Sequence, residues 1–398
     1  MTFVVIGAGL AGGKAVETLR EQGYDGRIVL IGAENERPYE RPPLSKGLLL
    51  GTEERESVFV HSPQWYGEHD VELRTGTTVT GLSPEKRLVT VADEEIGYDR
   101  LLLATGASPR RLPVPGADRA LYLRTLEDSA AIARAATDGS NLVVIGAGWI
   151  GLEVAAAARS HGASVTVVET AHLPLQRVLG DTIASVFAGL HRENGVTFHF
   201  GAQIQEITAT HVLLGDGTAL PADAIVAGVG VTPNTDLASQ AGLAVDNGVL
   251  VDGGLRTSDP AVFAAGDVAN VDHPLLKTRI RVEHWANALH TGPVAAKAML
   301  DQNVVYDRLP YFFTDQYDLG MEYTGWVPPG AEAEVVVRGD LSSREFLAFW
   351  LMEGRVAAGM NVNIWDVNDA IADLVRAEAV IDRARLADPD VPLAELLP

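Results

Sequence analysis

The sequence contains no cysteine. Disulfide bonds, thiolate metal sites, cysteine nucleophiles and redox-active dithiols are therefore impossible in this chain. It also lacks any run of about 18 apolar residues, the length that a membrane-spanning helix needs. Acidic residues outnumber basic residues by 53 to 31, which gives a formal net charge of -22. A field of that sign repels phosphate backbones and anionic lipids, so we expect neither nucleic-acid nor membrane binding.

The size and composition are those of a folded protein with several domains. The 398 residues include 47% hydrophobic and 21% charged residues, which is ordinary for a globular chain. At about 150 residues per domain, the length predicts two to three domains. A strand-like run at residues 3–6 begins almost at the first residue, so we expect no signal peptide and a cytoplasmic location.

One nine-residue pattern occurs twice. Residues 4–12 read VVIGAGLAG, and residues 143–151 read VVIGAGWIG. In each copy a β-branched strand leads into a glycine turn and a helical stretch, at residues 14–21 or 153–160, which ends near a glycine suited to a left-handed cap (Gly23 and Gly162). A second strand follows each helix, at residues 28–31 and 165–168. The sequence therefore predicts two βαβ units.

Proline clusters and a change of pattern divide the chain further. Strands are predicted at residues 101–104 and 224–227, and the first is followed by prolines that suggest a crossing between domains (Pro109, Pro113 and Pro115). Another crossing is predicted near residues 231–234. Beyond residue 307 the pattern predicts antiparallel strands at residues 335–337, 346–351 and 356–360, with turns at Gly339-Asp340 and Glu353-Gly354. A closing helix is predicted over residues 367–386, with one apolar face formed by Ile371, Leu374, Val375 and Ile381.

The first glycine turn has the spacing of a dinucleotide-binding fingerprint. In Gly7-x-Gly9-x-x-Gly12, the first glycine makes the tight turn, the second admits a pyrophosphate, and the third lets helix pack on strand. The helix N-terminus supplies unpaired N–H groups for the pyrophosphate. An acidic residue after the second strand is expected to hold ribose hydroxyls. The predicted contacts are Gly7, Gly9, Leu10, Ala11, Gly12 and Glu34. A single such motif can also be a glycine turn without a ligand.

The second glycine turn repeats this arrangement. A carboxylate at Glu169 would accept from the 2′-hydroxyl of NADH and repel the 2′-phosphate of NADPH, so NADH is the expected nucleotide. The predicted contacts are Gly146, Gly148, Trp149, Ile150, Gly151, Glu169 and Gly230. Two dinucleotide sites in one chain indicate a flavoenzyme or, less often, a duplicated binding module.

Four further segments carry a resemblance to a known family. They are residues 41–46 (RPPLSK), 105–107 (TGA), 257–267 (TSDPAVFAAGD) and 310–317 (PYFFTDQY). With the two fingerprints, the whole chain resembles the FAD-dependent, NADH-linked ferredoxin reductases, the family of putidaredoxin reductase, rubredoxin reductase and the reductase components of aromatic-ring dioxygenases. Relatives often have tryptophan and serine where Phe313 and Thr314 stand, so this aromatic ring lacks the indole N–H donor.

The resemblance implies an α/β fold with two Rossmann-like, glutathione-reductase-like dinucleotide-binding domains and a small C-terminal α+β domain. The implied FAD-binding domain comprises residues 1–112 and 232–306, the NADH-binding domain residues 113–231, and the interface domain residues 307–398. The further FAD-side residues that it implies are Arg41, Lys46, Thr105, Gly106, Gly266, Asp267, Trp285 and Phe313. Asp267 would bind a ribityl hydroxyl of the flavin.

The resemblance also implies three catalytic residues. Glu153, in the first turn of its helix, would point at the contact between flavin and nicotinamide and pair with Lys46, which would stabilise charge near flavin N5. Trp285 would lie at the pyrimidine end of the flavin. Ordinary alternatives remain: an acidic residue suits a helix start, Lys46 could be a solvated loop cation, and Trp285 could simply pack in a core. Arg41 would contact FAD or form a surface salt bridge.

The histidines of the chain suggest no second chemistry. His284 and His290 have no carboxylate and nucleophile paired with them in the pattern, so we interpret both as packing or surface residues and not as general bases. The other histidines are scattered without metal-ligand spacing, so no metal is expected.

The implied reaction passes a hydride from NADH to FAD and then single electrons to a [2Fe-2S] or similar small ferredoxin, which feeds an oxygenase such as a haem monooxygenase. An acidic ferredoxin would need a local basic patch on this acidic chain, with candidates Arg279, Arg281, Arg308, Arg338, Arg344 and Arg355. The alternatives are another acceptor (rubredoxin, monodehydroascorbate or a quinone) or a redox-gated interaction protein like apoptosis-inducing factor. A monomer or a weak homodimer is expected.

Overall fold

A computed structural model describes residues 1–397, which divide into two units with separate hydrophobic cores. The first unit comprises residues 1–41, 55–108 and 231–310, and the second comprises residues 42–54, 109–230 and 311–397. The chain passes between them beside two short strands, Ala107–Pro109 and Val231–Pro233, which pair with each other. The domain boundaries expected from the sequence stay a prediction.

The first unit is built on a parallel sheet. Its five strands lie in the order Val262–Ala264, Arg100–Leu103, Thr2–Ile6, Arg27–Ile31 and Val71–Arg74. Their apolar side chains are almost fully buried, as both faces of a parallel sheet require. The helices of this unit are Leu10–Glu21, Pro63–Glu68, Asp236–Gln240 and Trp285–Met299. The first and last of them contribute Val16, Leu19, Ala295 and Ala296 to the same core.

Two small sheets complete the first unit. An antiparallel sheet consists of Val79–Ser83, Leu88–Val91 and Glu94–Gly97. A mixed sheet consists of Val249–Val251, Ala269–His273 and Thr278–Ile280. The single-turn helices here are Arg55–Val58 and Gly266–Val268.

The second unit contains the other predicted βαβ element. Its parallel sheet has the strand order Thr197–Phe200, Ser164–Glu169, Asn141–Ile145 and Ala224–Ala227. A small antiparallel sheet consists of Ile204–Ile207, His211–Leu214 and Ala219–Pro221. The helices are Gly47–Leu50, Leu126–Ala135, Trp149–Ser160 and Gln176–Glu193, the last of which is kinked at Gly180. Pro42–Ser45 and Ala117–Arg119 form single turns.

An antiparallel sheet and two short helices close the second unit. The strand order is Tyr311–Gln316, Leu319–Gly325, Arg355–Val362, Glu345–Met352 and Glu334–Asp340. The helices Asn368–Arg376 and Arg383–Ala387 and the single turn Leu393–Leu396 follow. The sheet packs on the helix Trp149–Ser160 through aromatic rings: the Trp149 and Phe312 centroids are 4.9 Å apart, and Tyr323 stacks on Phe312 at 4.9 Å.

Local predictions were confirmed for most strands and for both helix caps. The backbone is left-handed at Gly23 and at Gly162, with φ of 78° and 85°. The helices predicted from residues 14 and 153 in fact begin at Leu10 and Trp149, because the glycine turn continues directly into helical backbone.

Two predictions in the C-terminal region were wrong. The turn expected at Gly339-Asp340 lies later, because the strand Glu334–Asp340 continues through both residues and turns only before Glu345. The continuous closing helix is instead two helices. Glu378 has a positive φ of 48°, and Val380 forms an antiparallel bridge with Arg355, so the apolar face of the helix is interrupted.

None of the helices within residues 1–397 combines the length and apolar character needed to cross a membrane.

Candidate functional site

The first glycine turn has the shape that a bound pyrophosphate needs. A Cβ at Gly7, where φ is 113°, would lie 2.0 Å from the Ala104 carbonyl oxygen, and a Cβ at Gly12 would lie 2.0 Å from the Gly7 oxygen. At Gly9, by contrast, a Cβ would meet no atom within 4 Å. The outer glycines are therefore required by the turn itself, whereas the middle one leaves its outer face open for a ligand. Leu10 and Ala11 bury their side chains, so they could meet a nucleotide only through their backbone.

The segment Gly266-Asp267 lies beside this turn. A Cβ at Gly266 would lie 3.2 Å from Cβ of Ala11, and the Gly266 N–H donates to Thr291 Oγ1 at 2.9 Å. Gly292 approaches just as closely, since its Cβ would lie 2.3 Å from the Ala11 oxygen. Asp267 is only 8% exposed. The segment that contains Asp267 therefore lies against the helices that begin at Leu10 and Trp285, and its expected contact with the flavin stays a prediction.

Glu34 and Arg41, each expected to contact FAD, are bonded to each other. The Arg41 guanidinium donates to Glu34 Oε1 at 2.7 Å, and the Tyr39 hydroxyl donates to the other Glu34 oxygen. Arg41 also lies over the Tyr39 ring, 4.9 Å from its centroid. The salt bridge that the sequence offered as one alternative for Arg41 is therefore present, and it fixes the orientation of the Glu34 carboxylate.

Three other predicted FAD-side residues also belong to the first unit. Thr105 and Asn234 exchange two hydrogen bonds of 2.8 Å, which hold the loop containing Gly106, where φ is 66°. Trp285 is the first residue of its helix and is half-buried. Burial lowers the pKa of the preceding His284 to about 4, against the opposing pull of the Asp267 carboxylate. His284 is therefore a neutral packing residue at neutral pH, as its sequence context indicated.

The second glycine turn repeats the geometry of the first. Gly146 has a φ of 98°, and its Cβ would lie 2.4 Å from the Gly228 oxygen; a Cβ at Gly151 would lie 2.1 Å from the Gly146 oxygen. The middle glycine, Gly148, is again open, with no atom within 4 Å of a Cβ. Ile150 is 44% exposed at the start of the helix.

Glu169 lies at this second turn, held by backbone donors. Its carboxylate accepts from the N–H groups of Ala147 at 2.8 Å and Ala171 at 2.9 Å. Burial alone would raise the pKa of Glu169, but these hydrogen bonds outweigh it and lower the pKa. The Glu169 carboxylate is therefore anionic, and the hydrogen bonds fix its orientation. The Trp149 ring, in contrast, packs on Phe187 and Phe312, so only the backbone of Trp149 is available to a nucleotide. Gly230, where φ is 94°, accepts from the Arg110 N–H.

Lys46 and Glu153 form a buried ion pair in the second unit. Their Nζ and Oε1 atoms are 2.6 Å apart, and Glu153 is 4% exposed. The segment 42–54 is anchored beside this pair, since Ser129 donates to the Leu44 oxygen at 2.7 Å and the His161 ring hydrogen-bonds the Leu49 oxygen at the same distance. Glu153 is the fifth residue of its helix and not part of the first turn as predicted, so a helix-start preference does not explain it.

Two hydroxyl groups complete the surroundings of Glu153. Ser45 Oγ donates to Oε2 and Thr314 Oγ1 donates to Oε1, each at 2.5 Å. The ring centroid of Phe313 lies 5.1 Å from Lys46 Nζ, within cation–π range. Sequence reasoning missed both hydroxyls as ligands of the carboxylate, although each is adjacent to a residue that it identified.

The candidate docking arginines are mostly engaged within their own units. Arg338 is 9% exposed and donates to the carbonyls of Pro389 and Val391, so it is not a docking residue. Arg344 is paired with Glu193, and Arg355 donates to the Glu378 carbonyl. The others have similar internal partners: Arg279 the carbonyls of Val251 and Asn270, Arg281 the Glu283 carboxylate, and Arg308 the His290 ring. Arg279, Arg308 and Arg355 are exposed despite these partners, so a docking role for them stays a prediction.

Two family profiles together match most of the chain. The profile described as Pyridine nucleotide-disulphide oxidoreductase matches residues 1–292, and the profile described as Reductase C-terminal matches residues 311–397. No group of three or more histidine, aspartate or glutamate side chains is placed to hold a metal ion within residues 1–397.

Curated relatives and a solved structure match over almost the full length. The anthranilate 1,2-dioxygenase system ferredoxin--NAD(+) reductase component of Burkholderia cepacia is 40% identical, with 99% of each chain covered. Putidaredoxin reductase CamA of Pseudomonas putida is 37% identical, covering 99% of this chain and 96% of that protein. The crystal structure of the covalent putidaredoxin reductase–putidaredoxin complex matches with a TM-score of 0.95 at 37% identity, covering 99% of this chain and 97% of that one.

Proposed function

This chain belongs to the pyridine nucleotide-disulphide oxidoreductase family, and from that premise we propose that it is an FAD-dependent NADH:ferredoxin oxidoreductase that supplies an oxygenase. The observation that carries the proposal is the pair of matching glycine turns, each with an open middle glycine, in one chain. Because the chain has no cysteine, the dithiol chemistry of the family name has no place in it. Electrons must instead leave by way of the flavin.

The first unit supplies the residues that would hold FAD. The Gly9 turn and the helix N-terminus that follows it would bind the pyrophosphate, and the preset Glu34 carboxylate would accept from ribose hydroxyls. Asp267, which follows Gly266 beside the same turn, would bind a hydroxyl of the flavin side chain. When bound, FAD supplies the step from two-electron hydride acceptance to one-electron donation.

The second unit contains the residues that would hold NADH. The Gly148 turn would bind the pyrophosphate of NADH, and the Glu169 carboxylate would accept from the adenosine 2′-hydroxyl. A 2′-phosphate at that position would face an anionic carboxylate whose pKa is already lowered. NADH is therefore the favoured donor over NADPH.

The Lys46–Glu153 pair would act through charge. As the family resemblance implies, the Lys46 ammonium would offset the negative charge that a bound flavin gains on reduction. Glu153 holds the ammonium from inside the protein, and Ser45 and Thr314 donate two further hydrogen bonds to the carboxylate. Phe313 offers an aromatic face on the other side of Lys46. A cytoplasmic location is part of the same proposal.

An anaerobic titration with NADH tests the proposal. The purified holoprotein should lose its visible flavin absorption on addition of NADH, and an oxidised [2Fe-2S] ferredoxin should rapidly restore it. Persistent bleaching after ferredoxin would retain the flavoenzyme but remove the proposed acceptor. A colourless protein that does not take up added FAD would contradict the assignment at the first glycine turn.

A further inference from the structure

We propose that Thr314, Gln316 and His191 form a buried positioning chain for the Lys46–Glu153 pair, with every donor directed toward the Glu153 carboxylate. This inference rests on the proposed function, because the pair matters only if it serves the transfer of a hydride. None of the three residues was identified by their sequence pattern as part of a site.

The chain consists of three consecutive hydrogen bonds. Thr314 Oγ1 lies 2.5 Å from Glu153 Oε1, Gln316 Nε2 lies 3.1 Å from Thr314 Oγ1, and His191 Nε2 lies 2.8 Å from Gln316 Oε1. Thr314 and Gln316 alternate along the strand Tyr311–Gln316 and so lie on one face of it. The bonds therefore connect this strand to the helices Trp149–Ser160 and Gln176–Glu193.

The chemistry of the groups determines the direction of every bond. A carboxylate only accepts, so the Thr314 hydroxyl proton must point at Glu153. The Thr314 oxygen can then only accept from the Gln316 amide N–H, which turns the Gln316 oxygen toward His191. That oxygen in turn requires a proton on His191 Nε2. The His191 Nδ1 atom is buried and has no hydrogen-bond partner in the described chain. A ring nitrogen without a proton tolerates the lack of a partner better than an N–H group would.

Because these residues are buried, the direction of their hydrogen bonds is fixed. Thr314 and Gln316 are 1% exposed and His191 is fully buried, so each polar group depends on the next for its hydrogen bond. With its Oγ proton committed to Glu153, Thr314 cannot rotate to another acceptor. We infer that the chain holds the Glu153 carboxylate in the orientation in which it pairs with Lys46.

The charged groups around the chain are at its Glu153 end. Lys46 pairs with the carboxylate, and Asp315 interacts electrostatically with both residues. At the other end the rings of Tyr317 and Phe198 surround His191. Burial lowers the pKa of His191 to about 4, with the hydrogen bond to Gln316 opposing the change, so the ring is neutral at neutral pH.

Substitution of Thr314 tests the link to Glu153. Thr314→Val removes the hydroxyl and keeps the shape, whereas Thr314→Ser retains the donor. In anaerobic stopped-flow experiments at saturating NADH, we expect Thr314→Val to slow flavin bleaching about tenfold with an unchanged Kd for NADH, and Thr314→Ser to restore the rate within about twofold. The matched control is Thr324→Val, which removes another buried threonine hydroxyl, hydrogen-bonded to Asn368, in the same sheet. Equal rates for Thr314→Val and wild type, or equal losses for Thr314→Val and Thr324→Val, would overturn the proposal.

A pH profile tests the middle of the chain. Gln316→Glu is nearly isosteric but places an acceptor where Thr314 now receives an N–H, and it adds a second negative charge close to Glu153. We expect the bleaching rate of this variant to lie below the wild-type rate at neutral pH and to recover as the pH falls, because only the protonated form of the new carboxyl group can donate to Thr314. Superimposable profiles would contradict the proposed direction of the chain.

A measurement that does not depend on turnover distinguishes a failure of this proposal from a failure of the proposed function. Ring ¹⁵N NMR of the holoprotein, assigned with the His191→Gln variant, should show neutral His191 protonated at Nε2 at pH 6. A proton at Nδ1 instead, or at both nitrogens, would overturn the chain. If NADH fails to bleach wild-type flavin, the proposed function fails, and the positioning role falls with it; the tautomer still decides the direction of the bonds.

Discussion

Lys46 Nζ lies 2.6 Å from Glu153 Oε1, and three donors share the two oxygens of this 4%-exposed carboxylate. A buried charge of this kind is tolerated only when it is paired and hydrogen-bonded. Lys46, Ser45 and Thr314 donate three hydrogen bonds to the Glu153 carboxylate. The pair is therefore built into the protein, and its removal should have consequences for both stability and reaction rate.

Replacement of Glu153 by glutamine should uncouple Lys46. We expect the NADH-dependent bleaching of the flavin to slow on the order of tenfold to a hundredfold, and the free energy of unfolding to fall by about 3 kcal/mol, because the Lys46 charge loses its partner. Stopped-flow absorbance and urea denaturation measure the two effects. The matched control is Glu334→Gln, which breaks the exposed pair with Arg383 and should change neither quantity appreciably. A Glu153→Gln variant with the wild-type bleaching rate would refute the assigned role.

Alanine at Gly7 should lower the stability of the protein, whereas alanine at Gly9 should weaken FAD binding. At Gly7 the new Cβ would overlap the Ala104 carbonyl at a positive φ, so we expect unfolding to become easier by about 2 kcal/mol or more. At Gly9 the Cβ meets no protein atom, so Gly9→Ala should keep the stability of the apoprotein and weaken FAD binding at least about tenfold. Thermal denaturation of the apoprotein and fluorescence titration with FAD distinguish the two. Undiminished FAD affinity in Gly9→Ala would mean that the turn does not hold the pyrophosphate.

Substitution of Glu169 should relax the choice of nucleotide. Glu169→Ala removes the acceptor for the 2′-hydroxyl and the charge that opposes a 2′-phosphate, so we expect KM for NADH to rise about tenfold while kcat stays near wild type. The KM for NADPH should fall or stay constant. Initial rates with both nucleotides and a dye acceptor provide the measurement. An unchanged ratio between the KM values for NADH and NADPH would mean that other residues select the nucleotide.

Acid should destabilise the protein through His191. Its pKa is about 4 in the folded protein and 6.5 in the unfolded chain, so the unfolded state binds more protons between these values. Stability is therefore lost as the pH falls from 6.5 towards 4, by about 3 kcal/mol in total for this one group. Urea denaturation across that range should show the decline, and His191→Gln should make it shallower. Replacing the exposed His172 by glutamine should leave the slope as in wild type.

Much of the fold followed from short stretches of sequence. Both glycine turns, their flanking strands and the left-handed caps at Gly23 and Gly162 depend on backbone conformations that only a few residue types allow, and such preferences can be recognised without knowing the neighbours in space. The same holds for Glu34 and Glu169, which follow the second strand of each βαβ unit at a spacing that the motif itself sets.

Packing between distant segments decided the rest. The pairing of Lys46 with Glu153 was expected only from the family resemblance, while Ser45, Thr314, Gln316 and His191 join it because a loop, a strand and two helices meet in one core. The break of the closing helix at Glu378 has the same origin, since Val380 bridges to Arg355 in the neighbouring strand. Local conformational preference thus determined the two nucleotide turns, whereas the burial and hydrogen bonding of the Lys46–Glu153 pair depended on contacts that no short stretch of the sequence contains.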